Sequence, residues 1–273
     1  MGSGIAEVCA RAGLDVLVRE VTPEAAEAGR QRLVKSLDRG VSAGKLDEAG
    51  RDAALAKLAF TTDLADFGDR QLVVEAAIED EASKVAIFEQ LDKVVTADDA
   101  ILASNTSSIP IMKLGTVTGR PEQVLGIHFF NPVPVLKLVE LVTSLMTSDT
   151  TRERAETFAT DQLAKRVIRS QDRAGFVVNY LLIPYLLSAI RMLESGFASA
   201  DDIDTGMVEG CSHPMGPLRL TDLIGLDTTL AVAESLYEEF KEPLYAAPPL
   251  LNRMVEAGLL GRKTGRGFYN YSR

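Results

Sequence analysis

The hydrophobic pattern changes character along the chain. Residues 3–12 carry apolar side chains at helical spacing, and Gly13 fits the stop of that helix. Val16-Leu17-Val18 reads as a short buried strand. Thr22-Pro23-Glu24 supplies an N-cap, a proline at the first helical position and an acidic first turn. The stretch 22–58, rich in Ala, Glu, Lys, Arg and Leu and broken near Gly40 to Gly44, predicts two antiparallel, projecting helices. Strand signals follow at 71–75, 100–104, 124–128 and 137–142, with a helical stretch at 80–95 between the first two. A helix near 150–165 and a short strand, Arg166-Val167-Ile168, close this half. Strands alternating with helices indicate βαβ units and a mainly parallel sheet. After Asp172-Arg173-Ala174-Gly175 the texture turns helical. The apolar run 176–193 contains Asn179, Pro184 and Arg191 and suits a buried helix, not a membrane span. Helical spacing continues to about residue 257 with no strand signal. The expected organisation is an α/β domain over 1–173 and an all-helical domain over 174–273.

The opening stretch, MGSGIAEVCARAGLDVLVRE, sharpens the α/β assignment. A small-residue helix start, a second strand and a closing acidic residue, Glu20, form the second half of a dinucleotide-binding unit. The first strand and the first two glycines of that unit are absent from the sequence. The fold class is therefore read as a Rossmann-type sheet without its first strand, followed by a helical C-terminal domain. A different fold with a similar opening is the alternative.

Composition removes several function classes. A net charge of −10, from 29 basic and 39 acidic residues, argues against a nucleic acid partner, whose phosphates demand a basic face. Cys9 and Cys211 are the only cysteines, and neither sits in a metal or redox spacing, so both are read as buried small side chains. No metal ligand set is visible. Nothing resembles a signal peptide and no apolar run reaches the ~20 residues of a membrane span, so a reducing cytoplasm is the simplest location.

Two histidines narrow the search for a general base. His128 ends an apolar strand, and the carboxyl ends of parallel strands face the ligand crevice. An imidazole there is suited to proton transfer near neutral pH; the alternative is a packed histidine bonded to a loop carbonyl. Glu140 sits inside the apolar stretch LKLVELV, where a carboxylate is costly without a partner. His128 is the natural partner, and an edge-strand Glu facing water is the alternative. The stretch ASNTSSIP, 103–110, directly follows a strand and offers small polar groups for hydroxyls and amides, or is simply a polar turn before Pro110. His213, in CSHPMGPL, reads as structural.

These motifs in order (MGSGIA, VVEAAIED followed by Lys84, ASNTSS, HFFNPVPVLKLVELV, GFVVNYLLIPYL, HPMGPLRLTDLIGLD and GRKTGRGFYNY) closely resemble the short-chain L-3-hydroxyacyl-CoA dehydrogenase family, over the whole chain. The resemblance implies oxidoreduction between a short-chain 3-hydroxyacyl-CoA and its 3-oxoacyl-CoA with NAD, or NADP, as the cofactor. It implies that His128 takes the 3-hydroxyl proton, Glu140 partners it, and Ser107 and Asn179 bind and polarise the substrate. It places Gly2, Glu20, Glu79, Lys84 and Asn105 on the cofactor, and the 22–58 hairpin on CoA. Lys45, Arg51 and Lys57 are candidate phosphate partners on that hairpin, with solvated surface charge as the alternative. Glu20 would repel a 2′-phosphate, whereas Arg19 beside it could tolerate one. A homodimer through the helical domain is also implied, with stretches 176–193 and 223–232 in the contact.

The resemblance further implies a strand and glycine turn of about a dozen residues ahead of Met1, central in a 3-2-1-4-5-6 sheet. Without it, two neighbouring strands are expected to have unpaired edges, and amides that approach the pyrophosphate are lost. The expectation is that Met1 is internal to a longer chain; a genuine truncation would fold poorly and bind cofactor weakly. Two further functions stay open: a dehydrogenase of a free 3-hydroxy acid, and a non-catalytic CoA-ester-binding dimer.

Overall fold

A computed structural model describes residues 1–271, which fall into two units, Met1–Arg173 and the described residues from Ala174 on. In the first, helix α1 (Gly2–Arg11) ends near Gly13, whose φ of +83° is a backbone that glycine adopts without strain. Strand β1 (Val16–Arg19) leads to α2 (Pro23–Ser42), whose Thr22 cap accepts from the Ala25 amide, and α3 (Glu48–Ala56) follows and packs against α2. The hairpin is not free-standing: Leu37 and Ala54 pack with Ala10 of α1 in one buried cluster. A strand that the sequence reading did not expect starts at Leu58, the last residue of the hairpin stretch. Leu58–Thr61 form β2, which pairs parallel with β1 in the register Val16 to Leu58. Four residues after a helix carry no periodicity, so only the partner strand defines them.

The main sheet has the order β3 (Leu72–Glu75), β4 (Ile101–Ser104), β5 (Val124–Phe129), β6 (Leu138–Thr143), β7 (Arg166–Gln171). The β3–β4, β4–β5 and β6–β7 pairs are parallel, and β5–β6 is antiparallel. Helix α4 (Glu81–Val94), capped by Asp80, links β3 to β4. Helix α5 (Ile111–Thr116), unmarked by periodicity, is capped from a distance by Asp172, which accepts from the Ile111 and Met112 amides at 2.8 and 2.7 Å. Helix α6 (Asp149–Thr157) precedes β7. That strand runs three residues past Ile168 because it lies at the sheet edge, where Arg169, Ser170 and Gln171 cost nothing in solvent. One face of the sheet buries Ala103, Leu125, Ile127, Val139 and Leu141 against Ile5 and Val8 of α1 and Ala155 of α6.

The strands form two separate sheets. Among the described residues β1 pairs only with β2, and β3 only with β4. The edges of β1 and β3 line one cavity of about 1120 Å³, closed in part by Ile5, Ala6 and Cys9. Burial pushes the Cys9 thiol up to about 12, so it stays a protonated, unreactive core group.

Among its described residues the second unit holds five α-helices: α7 (Val178–Glu194), α8 (Ala200–Cys211), α9 (Pro217–Ile224), α10 (Leu226–Phe240) and α11 (Pro249–Glu256). Their core includes Leu187, Ile190, Leu218, Leu226, Leu236, Tyr245 and Leu251. Two expectations are corrected here. Helix α7 is not buried all round: Ile183, Leu186, Leu187 and Ile190 face the core, while Leu181 is 67 % exposed, because a helix packed on one side leaves its other face open. Cys211 is exposed as well, at the last position of α8 before left-handed Ser212. The tail is pinned by buried Asp222, which accepts from the Phe268 and Tyr269 amides and the Tyr271 hydroxyl. His213 bonds the Tyr185 hydroxyl at 3.1 Å, a structural contact. Among the described residues no helix is long and apolar enough to cross a membrane.

Candidate active site

The antiparallel β5–β6 pair sets the first element of the site. His128 and Glu140 are direct cross-strand partners, so their side chains leave the same face of the sheet. Glu140, fully buried between Val139 and Leu141, accepts from His128 Nδ1 at 2.7 Å. A carboxylate can only accept, so Nδ1 carries the proton and Nε2 is the basic nitrogen. Ser107 Oγ lies 3.0 Å from that nitrogen, and the Phe130 ring packs 4.7 Å from the imidazole. The water-facing alternative for Glu140 is thereby excluded. The result is a line of three groups, carboxylate, imidazole and hydroxyl, at the carboxyl ends of β4 and β5.

Gly126, two residues before His128, makes room for this arrangement. A Cβ there would meet Val142 Cβ at 2.9 Å and Ile111 Cδ1 at 3.1 Å, so its absence lets α5 and β6 close on the face that carries His128. Asn105 ties the strand ends together: its amide donates to the Glu75 carbonyl at 2.8 Å and its Oδ1 accepts from the Phe129 amide at 2.9 Å.

A second cluster lies at the end of β3. Lys84, 1 % exposed, donates to both Glu75 oxygens at 2.7 and 2.9 Å and lies 3.4 Å from Glu79 Oε2. Ser104 Oγ and the Ala77 amide also donate to Glu75, each at 2.6 Å. Glu79 Oε1 accepts from Thr106 Oγ1 and from the Ser107 and Ser108 amides. Burial alone would raise the Glu79 carboxyl, but the Thr106 bond, the Lys84 charge and the Ser107 and Ser108 bonds together hold it below the usual carboxylate range. The sequence reading missed Glu75, and it singled out the stretch 103–110 without naming Ser104 and Thr106 within it. Glu75 had a usable signal, the one that singled out Glu140: an acid at the end of an apolar run, QLVVE, with a lysine nine residues on.

The chemistry of the donor set fits a dinucleotide at the mouth of the β1–β3 cavity. Gly2 and Glu20 both line it. Helix α1 has no side-chain cap, which leaves its first amides available to an anion. The Glu20 carboxylate, 3.8 Å from Arg32, can accept ribose hydroxyls. Arg19 Nε donates to the Thr62 carbonyl at 3.4 Å.

The remaining candidates are spread more widely. Asn179 is half-buried in the first turn of α7, in the helical unit. Lys45 is exposed in the loop between α2 and α3, whereas Arg51 is engaged by Asp38 and Asp52. Lys57 is not brought to the site: it pairs with Asp15 at 2.9 Å at the amino ends of β1 and β2, the far end from Glu20.

Comparison with known proteins is consistent over both units. Residues 1–173 match the family model described as 3-hydroxyacyl-CoA dehydrogenase, NAD binding domain, and residues 175–271 the corresponding C-terminal domain. A 3-hydroxybutyryl-CoA dehydrogenase of Mycobacterium tuberculosis is 63 % identical over 271 residues, 99 % of this chain and 95 % of that protein. The crystal structure of M. tuberculosis FadB2 superposes with a TM-score of 0.99 at 63 % identity, covering 100 % of this chain and 95 % of that one. The (S)-3-hydroxybutyryl-CoA dehydrogenase PaaH1 of Ralstonia eutropha gives 0.95 at 48 % identity, covering 100 % and 96 %.

Proposed function

Because the chain belongs to the 3-hydroxyacyl-CoA dehydrogenase family, we propose that it interconverts 3-hydroxybutyryl-CoA and acetoacetyl-CoA, with His128 as the proton-transfer residue and NAD as the preferred cofactor. The observation that carries this reading is the Glu140–His128–Ser107 line, with Nε2 left basic toward the Ser107 hydroxyl. A nicotinamide held here would supply the hydride-transfer chemistry. In oxidation, His128 Nε2 takes the 3-hydroxyl proton while Ser107 Oγ orients the substrate oxygen. Glu140 holds the tautomer and stabilises the imidazolium that forms. In reduction, imidazolium and hydroxyl together polarise the ketone. Asn179 would add a polar group for substrate binding. Glu20 would bind the adenine ribose, Gly2 would admit the pyrophosphate to the start of α1, and Lys84 and Glu79 would flank the nicotinamide end.

The test is turnover of acetoacetyl-CoA with NADH and with NADPH, followed by nicotinamide absorbance. NADH is expected to be preferred by at least about 10-fold in kcat/KM, since Glu20 repels a 2′-phosphate. Glu20→Ser should shrink that ratio. Folded protein that binds the CoA ester but turns over neither cofactor would overturn the reading.

The chain is also proposed to form a homodimer through its helical unit. Leu181, Phe197 and Leu223, which are 67 %, 80 % and 49 % exposed, support this, because such residues gain from a partner surface. Sedimentation velocity at micromolar concentration should give a dimer mass; a monomer would contradict it.

A further inference from the structure

Ser107 has to be held in place by something other than its own strand. Residues 106–108 follow the last paired residue of β4 and precede α5, so no sheet ladder fixes their backbone. The Thr106 amide donates to Ser104 Oγ at 3.2 Å, and four other donors of these residues converge on one atom. Glu79 Oε1 accepts from Thr106 Oγ1 at 2.5 Å, the Ser107 amide at 2.9 Å, the Ser108 amide at 3.2 Å and Ser108 Oγ at 3.0 Å. Thr106 Oγ1 in turn accepts from the Ser108 and Ile109 amides, at 3.2 and 2.9 Å. The turn is thus wound around a single carboxylate oxygen.

That carboxylate is itself anchored. Its Oε2 lies 3.4 Å from Lys84 Nζ, and Lys84 is held by Glu75 inside the fold. The two oxygens have separate duties. Oε1, with four donors, has no lone pair left for a ligand, so any contact Glu79 makes with a cofactor falls to Oε2.

We infer that Glu79 is a positioning residue for proton transfer: fixed by Lys84 and Glu75, it holds the 106–108 turn in the conformation that brings the Ser107 hydroxyl to His128 Nε2. This rests on the proposed role of Ser107 and adds a duty distinct from cofactor contact. Glu79→Gln keeps the shape but turns an N–H toward Lys84 or toward the turn amides, and either choice sets donor against donor.

The experiment is a double-mutant cycle in the full chain, with Glu79→Gln and Ser107→Ala measured over a range of NADH concentrations at saturating acetoacetyl-CoA. Glu79→Gln is expected to lower kcat by about 10- to 100-fold, the scale of a displacement near 1 Å, with the NADH KM within about 2-fold of wild type. In the Ser107→Ala background its effect should shrink below about 2-fold, since there is no hydroxyl left to place. Hydrogen exchange of a peptide spanning 104–110 should speed up in Glu79→Gln. Thr106→Val, which removes the shortest of the four bonds to Glu79 and the acceptor of the Ser108 and Ile109 amides without altering the carboxylate, should reproduce part of the kcat loss and serves if Glu79→Gln does not fold. Equal effects in both backgrounds, an effect confined to the NADH KM, or unchanged exchange would overturn the inference while leaving the role of Ser107 intact. A fully active Ser107→Ala would instead remove that role, and the inference with it.

Discussion

His128→Gln is expected to lower kcat for acetoacetyl-CoA reduction by about 10³-fold, within the 10²–10⁴ range of a lost general acid–base. Glutamine fills much of the same space and can still bond Glu140, so the fold should survive; what disappears is a group that can carry a proton at the Nε2 position, 3.0 Å from Ser107 Oγ. The KM for the CoA ester should change little, because an interaction made mainly in the transition state lowers kcat and kcat/KM together. Glu140→Gln should cost less, since the imidazole remains but loses its fixed acceptor at Nδ1. The double variant should be scarcely worse than His128→Gln, because Glu140 acts through the imidazole. Steady-state kinetics over the four proteins decides this. Losses that simply multiply would mean that the two residues act apart.

Lys84→Met is expected to be the most destabilising single change in the sheet unit, by about 3–5 kcal/mol. Lys84 and Glu75 have side chains 1 % and 2 % exposed, and the ammonium meets both carboxylate oxygens. Methionine fills much of the same space but leaves Glu75 charged, or protonated at a cost, beside Ser104 Oγ and the Ala77 amide. Glu75→Gln added to Lys84→Met should recover more than half of the loss, since removing both charges avoids the uncompensated one. Urea denaturation of the two variants tests this. A loss below about 1 kcal/mol for Lys84→Met would mean that solvent reaches Glu75.

What the sequence made legible follows the range of the interactions. The strand run 71–75, the helix that Thr22 caps and the apolar strand before His128 are written in local periodicity and capping, and each appears where it was expected. Glu140 was legible by contradiction, as an acid where only apolar residues are comfortable. The elements that escaped depend on distant partners. β2 exists because β1 lies beside it, and α5 is capped by a carboxylate 61 residues downstream. The Glu79 turn escaped for the same reason: acceptor and donors are nearly 30 residues apart, and nothing in ASNTSS says which acid will gather its amides.

The antiparallel pairing of β5 with β6 has one more consequence, for the specificity of folding. Side chains along a strand alternate between faces, so slipping β6 by a single residue would send Glu140 to the face lined by Ile127, Leu141 and α1, with no imidazole opposite. A slip by two would keep the face but part the carboxylate from its histidine. Either misalignment strands a charge in the interior, at a cost of several kcal/mol. The pair proposed to move the proton therefore also acts as the lock that selects one strand alignment over its neighbours.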